Sequence, residues 1–262
     1  MSSVAISGNA SGAGVLTIAA PNTASNFTLT LPTQTGILVS GTTTAGVVAP
    51  AGTATLAPIL LVSGTNLTSA TAGAIEYDGK VVYGTPIGTQ RGIVPTQQYY
   101  RLNADYVGSN ATGAQSLFGV GVTLSASTVY EFEAVYYMGK TAGTTSHTIG
   151  FGFGGTATIN NVFWNAIGND TTSALPFRLT SLEAVASNSV ASIAMTGALT
   201  SATMNIFANV KGTVSINAGG TFIPQYTLSA APGGAYSTAI GSYIRINPLS
   251  ASGAATNVGT WA

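Results

Sequence analysis

Residues 211–248 read KGTVSINAGGTFIPQYTLSAAPGGAYSTAIGSYIRINP, and the fold class turns on them. Thr213-Val214-Ser215-Ile216 alternates polar and apolar residues, and Thr221 to Leu228 does so in part. After a Gly-rich break, Tyr243-Ile244-Arg245-Ile246 takes the pattern up again. A period of two sends apolar side chains to one face of an extended chain, and each run is strand-sized and bounded by Gly, Pro, Asn or Ser. The stretch predicts consecutive antiparallel strands that close a sandwich or barrel, with Phe222, Tyr226 and Tyr243 as core or inter-chain contacts.

The same texture runs back to Pro95. Strand-like segments occupy Gln98 to Tyr106, Val120 to Leu124, Val129 to Met138, His147 to Phe153 and Ala157 to Ala166. Ser181 to Ala194 fits a short helix or a strand equally well. About eight strands separated by turns, with no repeating helical segment and no fixed-period repeat, point to a β-sandwich or jelly roll over residues 96–262. Residues 56–95 form a smaller hairpin module, with Ala57 to Ser63 as one strand and Ile75-Glu76-Tyr77-Asp78-Gly79-Lys80-Val81-Val82-Tyr83 as a hairpin. Asp78-Gly79 between alternating residues favours a two-residue type I′ turn. Residues 1–55 hold short strands at Val15–Ile18, Phe27–Leu31 and Ile37–Val39, then a Gly/Thr/Ala linker. This N-terminal β region has too few large apolar residues to bury a core alone, so it must wrap on copies of itself or on a partner.

Composition narrows the function. Seven Lys+Arg balance seven Asp+Glu, and charged residues are 5% of the chain, against roughly 25% in an ordinary soluble domain. Scattered cations in that number draw no basic patch, so no nucleic-acid partner is expected. Scarce charge also argues against life as a dilute monomer. Disorder goes with low hydrophobicity and high net charge, whereas this chain is 45% hydrophobic and 8% aromatic. It has no cysteine, hence no disulfide framework or thiolate metal site. Met1-Ser2-Ser3-Val4 lacks the basic and apolar regions of a secretory signal. No run approaches the ~20 apolar residues of a membrane span, and no membrane insertion is expected.

Candidate chemistry is sparse. Glu131 and Glu133 share a strand face, but their side chains run parallel instead of flanking a sugar as a glycosidase pair does. A solvated or subunit-contacting face accounts for them better. His147 is the single histidine. It has no G-x-S-x-G serine to serve, and it reads as an exposed loop or strand-end residue, or as one of three rings around a metal on a trimer axis. Asp78, Asp105 and Asp170 are too dispersed for a calcium loop. Gly150 to Gly155 (GFGFGG) lacks the Lys and helix of a phosphate loop and reads as a strand with close backbone packing. Tyr99-Tyr100, Tyr136-Tyr137 and Trp164 fit either an aromatic glycan platform or the core, and core is the commoner use. No catalytic, cofactor-binding or metal-binding residue is assigned, and no enzymatic activity or cofactor is expected.

Three segments, in order, resemble phage virion appendage proteins of the tail-fibre type. They are GAGVLTIAAPNTASNFTLTLPTQTGILV (Gly12 to Val39), GAIEYDGKVVYGT (Gly73 to Thr85) with Arg91-Gly92 after it, and the closing stretch from Gly212 to Leu249. The resemblance implies a virion structural protein, commonly a homotrimer, with an N-terminal attachment region and a jelly-roll-like C-terminal head. Its implied partners are itself, other tail or capsid proteins, and a host-surface glycan. No long shaft separates anchor from head, so a short fibre and a trimeric capsid decoration (cement) protein both fit the length. A carbohydrate-binding or hydrolytic β domain is a third class. Oligomerisation has its own physical support, because a neutral small-residue β chain must cover its apolar faces and strand edges, and a closed ring does so without growing into a filament. The number three comes from the resemblance alone.

Overall fold

The structure, a computed structural model, describes residues 51–173, 182–253 and 255–261. The strands expected at Val15–Ile18, Phe27–Leu31 and Ile37–Val39 lie outside the described residues. The chain divides after Ile59, and the fold below is that of Leu60–Ala262.

Every regular element among the described residues is a strand. A three-stranded sheet comes first: β1 (Ile75–Tyr77), β2 (Val82–Gly84) and β3 (Gly92–Val94), all antiparallel. Next come β4 (Gln98–Arg101), β5 (Tyr106–Val107), β6 (Gln115–Ser116), β7 (Val122–Leu124), β8 (Thr128–Lys140), β9 (Ile149–Gly154) and β10 (Thr158–Thr171). The last are β11 (Glu183–Ser187), β12 (Ile193–Ala194), β13 (Met204–Ala218), β14 (Gly220–Leu228), β15 (Ser237–Thr238) and β16 (Tyr243–Ala251). The ambiguous segment before Ala194 is thus strand in β11 and β12.

Two antiparallel sheets make a β-sandwich-like body. The larger runs β11-β10-β13-β8, then forks: β16 and β4 continue from one half of β8, β15 and β5 from the other. The smaller runs β12-β9-β14-β6, with β7 also on β14. The strands of the opening stretch are present as read, but they do not pair with one another. β13 lies in the larger sheet, β14 crosses to the smaller one within a residue, and β16 returns to β8. Alternation reports which face of a strand is apolar and carries no information on its neighbour.

β8, β10 and β13 are 13, 14 and 15 residues long, about 45 Å at roughly 3.3 Å per residue. Their inward faces supply half of the core. Phe132, Gly212 and Trp164 stand in one cross-strand row, and a Cβ on Gly212 would lie 2.7 Å from both Phe132 and Trp164. The glycine is the space that the two large rings occupy. From the facing sheet, Phe153 stacks on Phe222 at 4.6 Å and meets Trp164 edge-on at 5.4 Å, while Phe151 meets Tyr136 at 5.1 Å.

Two local expectations fail. Ala57 to Ser63 is irregular rather than a strand, and Ile59, Leu60 and Val62 are exposed. An apolar run becomes a strand only if a second strand pairs with it. The Asp78-Gly79 hairpin exists, but Tyr77 pairs with Val82, leaving a four-residue loop where two were expected. Asp78 Oδ1 accepts the backbone N–H groups of Lys80 and Val81, both at 2.8 Å, and only Gly79 needs positive φ (91°). A side chain that can cap the turn itself relieves the backbone of the type I′ conformation.

Candidate functional site

The outer face of the larger sheet is where the candidate carboxylates and several aromatic residues meet. Strand register sets Asn165, Lys211, Glu133, Arg245 and Tyr99 in one row across β10, β13, β8, β16 and β4. The rows beside it hold Phe163, Thr213 and Glu131 on one side, and Ile167, Asn209, Val135 and Tyr243 on the other. Period-two geometry makes all of these outward, just as it makes Trp164 and Phe132 inward.

Glu133 is the hub of the charges in the central row. Arg245 Nη2 donates to Glu133 Oε2 at 3.0 Å, Lys211 Nζ lies 3.9 Å from the same oxygen, and the Tyr243 hydroxyl donates to Glu133 Oε1 at 3.2 Å. Tyr243 in turn stacks on Tyr99 at 5.6 Å. The Arg245 hydrogen bond, outweighing partial desolvation, holds the Glu133 carboxyl below its ordinary range. A general acid needs the opposite shift. Toward β10 the face is without charge: Phe163 is 61% and Ile167 45% exposed, with Phe207 on β13 and Val135 on β8 half-buried, while Glu131 and Arg101 stand exposed in the flanking rows nearer β8 and β4.

His147 departs from the sequence reading. It sits at a strand end, bridged to Leu199, but it is buried. Nδ1 donates to Thr145 O at 2.7 Å, since a carbonyl can only accept, and Nε2 is 2.9 Å from the Tyr236 hydroxyl. With both ring nitrogens engaged inside one chain, neither faces a metal shared between copies. Burial raises the Tyr236 hydroxyl pKa. The Lys140 ammonium is 5.9 Å from the Tyr236 ring centre and donates to the carbonyls of Ser201, Gly143, Ala142 and Ala202 at 2.6–3.2 Å. Burial lowers the pKa of Lys140. This cluster ties three loops at one end of the sandwich. Its sequence signal was weak: Lys140 falls on the inward phase of β8, directly after the series Tyr130, Phe132, Ala134, Tyr136 and Met138.

The remaining candidates separate. Tyr136 and Trp164 are core, and the Trp164 indole donates to Ser189 O at 2.8 Å. Phe222 and Tyr226 are also core, whereas Tyr243 is on the outer face. Tyr99 and Tyr100 are exposed on β4. Tyr100 helps line a 330 Å³ groove with Phe118, Val122 and Ile244. Gly150 and Gly152 lie in β9, where a Cβ would come within 2.6 Å of Ser192 Oγ and 2.7 Å of Val190 O. Asp105 Oδ1 accepts the Ile240 N–H at 2.8 Å, Asp170 is on β10, and Asp78 holds the module turn. Among the described residues no three His, Asp or Glu side chains converge on a metal position. No family model matches the chain, and neither a curated protein nor a solved structure matches it.

Proposed function

We propose that this chain is a non-enzymatic structural protein of a phage virion, a short tail fibre or appendage. In this reading it attaches through its N-terminal region and acts as a homotrimer whose C-terminal head, jelly-roll-like in architecture, contacts the host surface. The observation that carries the reading is the outer face of the larger sheet. Phe163 and Ile167 stand exposed on it, and in its central row Glu133 pairs with Arg245 and Lys211. Such a face gains from being covered by another protein and offers little to a charged ligand. The resemblance of three ordered segments to tail-fibre-type proteins supplies the virion context and the trimer. The capsid-decoration alternative rests on the same face, turned toward capsid subunits.

Light scattering on the purified chain tests the oligomer: a mass near three times 26.1 kDa is expected, and a monomer at micromolar concentration refutes it. Phe163→Asp with Ile167→Asp should lower the mass without changing the β circular dichroism. On intact particles, antibody labelling confined to the tail supports the fibre, and labelling over the whole shell supports decoration.

A further inference from the structure

Two strands with one neighbour each meet at the groove beside Tyr100. Among the described residues β4 pairs with β16 alone and β7 with β14 alone. Each therefore presents a row of backbone N–H and C=O groups with no strand opposite. All four residues of β4 are exposed. Sheets commonly guard such an edge with lysine, proline or a bulge, and β4 has only Arg101, at its end. Between the two edges lies the 330 Å³ groove, and the buried core residues Phe118, Phe222 and Ile246 reach into its lining. None of the residues around it carries a charge.

Elsewhere the chain holds the converse, a run of strand composition without a strand. Leu60, Leu61 and Val62 are 79%, 40% and 82% exposed. An extended chain sends alternate side chains to opposite sides, and the exposures follow that alternation: Leu60 and Val62 project together, and Leu61 away from them. The residues that follow are tied to β1, where Gly64 N–H donates to Tyr77 O at 3.0 Å and Leu67 N–H to Glu76 Oε1 at 2.6 Å. Leu60, Leu61 and Val62 line a hollow with Ile75 and Tyr77 of that strand, and no residue before Gln98 lines the groove. The run is thus held on the module, apart from its own chain's groove, with two large apolar side chains in water. From Gly52 through Ile75 there is no charged residue.

We propose that Leu60–Val62 of one copy lies in the groove of a second copy, adding a strand to β4 and setting Leu60 and Val62 against Phe118, Phe222 and Ile246. The contact presupposes the oligomer proposed above and gives it a place in the chain. An added strand supplies main-chain hydrogen bonds along the open edge of β4 while alternate side chains enter the groove. A cavity of about 150 Å³ admits one benzene-sized group, so 330 Å³ takes roughly two aliphatic side chains. Neither surface brings a charge that must be stripped of water, as an ionic ligand would. Each copy gives one segment and receives one, a head-to-tail contact of the kind that closes rings.

The chain has no cysteine, so introduced thiols report without background. Val62→Cys and Val120→Cys, the latter on the groove's exposed rim, are placed in separate full-length chains, co-expressed and treated with a short bismaleimide. A third chain carries both. The mixture should give a product of about twice 26.1 kDa, joined through residues 62 and 120 by peptide mapping, and neither single variant should. Leu60→Asp with Val62→Asp, at positions too exposed to matter for folding, should raise the concentration at which the oligomer dissociates roughly a hundredfold. It should leave the β circular dichroism unchanged and speed amide exchange at Tyr99 and Tyr100. A link between two copies of residue 62 would set the segments on each other, and a link confined to the chain with both cysteines would set the segment in its own groove. Either result, no link at all, or an oligomer unmoved by the Asp pair overturns this contact while the oligomer stands. A monomeric parent overturns both readings.

Discussion

Where the sandwich packs Trp164, Phe132, Phe153 and Phe222 ring against ring, the three-stranded module upstream closes on two carboxylates. The module itself buries little apolar surface beyond Val81 and Tyr83. In exchange Glu76 binds Arg91 and the Leu67 N–H, Asp78 caps its turn and holds Tyr83, and Lys80 reaches the sandwich at Ala126 O, 2.8 Å away. One chain thus uses apolar burial where it has length for long strands, and directed polar contacts where its strands are three residues long. A three-residue strand cannot bury enough surface to order itself. Substitutions and pH should act differently on the two regions.

The largest effect is expected inside the sandwich. Trp164→Ala removes a fully buried indole and its hydrogen bond to Ser189 O, and leaves a cavity between the sheets. It should cost about 4 kcal/mol in chemical denaturation. A loss under about 1 kcal/mol would mean that the sheets close over the gap, and that ring packing is not what joins them. Asp78→Ala should cost less, about 2 kcal/mol, and locally. Amide exchange of Lys80 and Val81 should accelerate strongly while that of Phe151 and Ile206 stays unchanged. Uniform acceleration would show the module and sandwich to be a single cooperative unit.

Acid should loosen the module first. For Asp78, burial alone would raise the pKa; the N–H groups of Val81 and Lys80 and the Tyr83 hydroxyl more than reverse this, leaving it below the ordinary 3.8. Glu76 is held below 4.5, chiefly by the Leu67 N–H, with Arg91 adding to it. A carboxylate with a depressed folded pKa stabilises above its unfolded value, and that stability is lost as pH falls through the folded one. Module amides should therefore lose protection below about pH 4 while sandwich amides keep theirs. Asp78→Asn should flatten most of the pH dependence.

The same division explains what was legible in the sequence. β8, β13, β14 and β16 follow from period-two alternation, because a strand buried on one side must alternate whatever its neighbour is. The close-packed glycines of β9 were equally readable. Register was not: Glu133 meets Arg245 and Lys211 only because β8 lies between β13 and β16, and local sequence does not encode that order. His147 was misplaced for the same reason, since its burial depends on Tyr236, far along the chain. Asp78-Gly79 announced a turn correctly, yet its geometry depended on a side-chain cap that competes with the backbone solution. Ala57 to Ser63 has strand composition and no strand. Sequence read the faces of the elements better than their partners, and candidate sites are made of partners.

Glu183 offers the smallest test and the sharpest contrast. It stands on β11 with Oε1 accepting the Gly197 N–H at 3.3 Å, while Oε2 is buried with no hydrogen-bond partner among the described residues. Burial, with Asp170 adding to it, raises its pKa against the Gly197 bond. The sign is opposite to that of the module: a carboxyl with a raised folded pKa contributes most when protonated, and the contribution is lost as pH rises from its ordinary 4.5 through the folded value. Glu183→Gln keeps an acceptor for Gly197 and removes the buried charge, so near neutral pH it should stabilise the sandwich by about 0.5–1 kcal/mol. At about pH 4, where the native carboxyl is itself largely neutral, the advantage should vanish. Thermal melts of both proteins at the two pH values decide it. A variant less stable than the parent near neutrality would mean that the Glu183 charge is satisfied in solution, and that the sandwich, like the module, relies on a carboxylate.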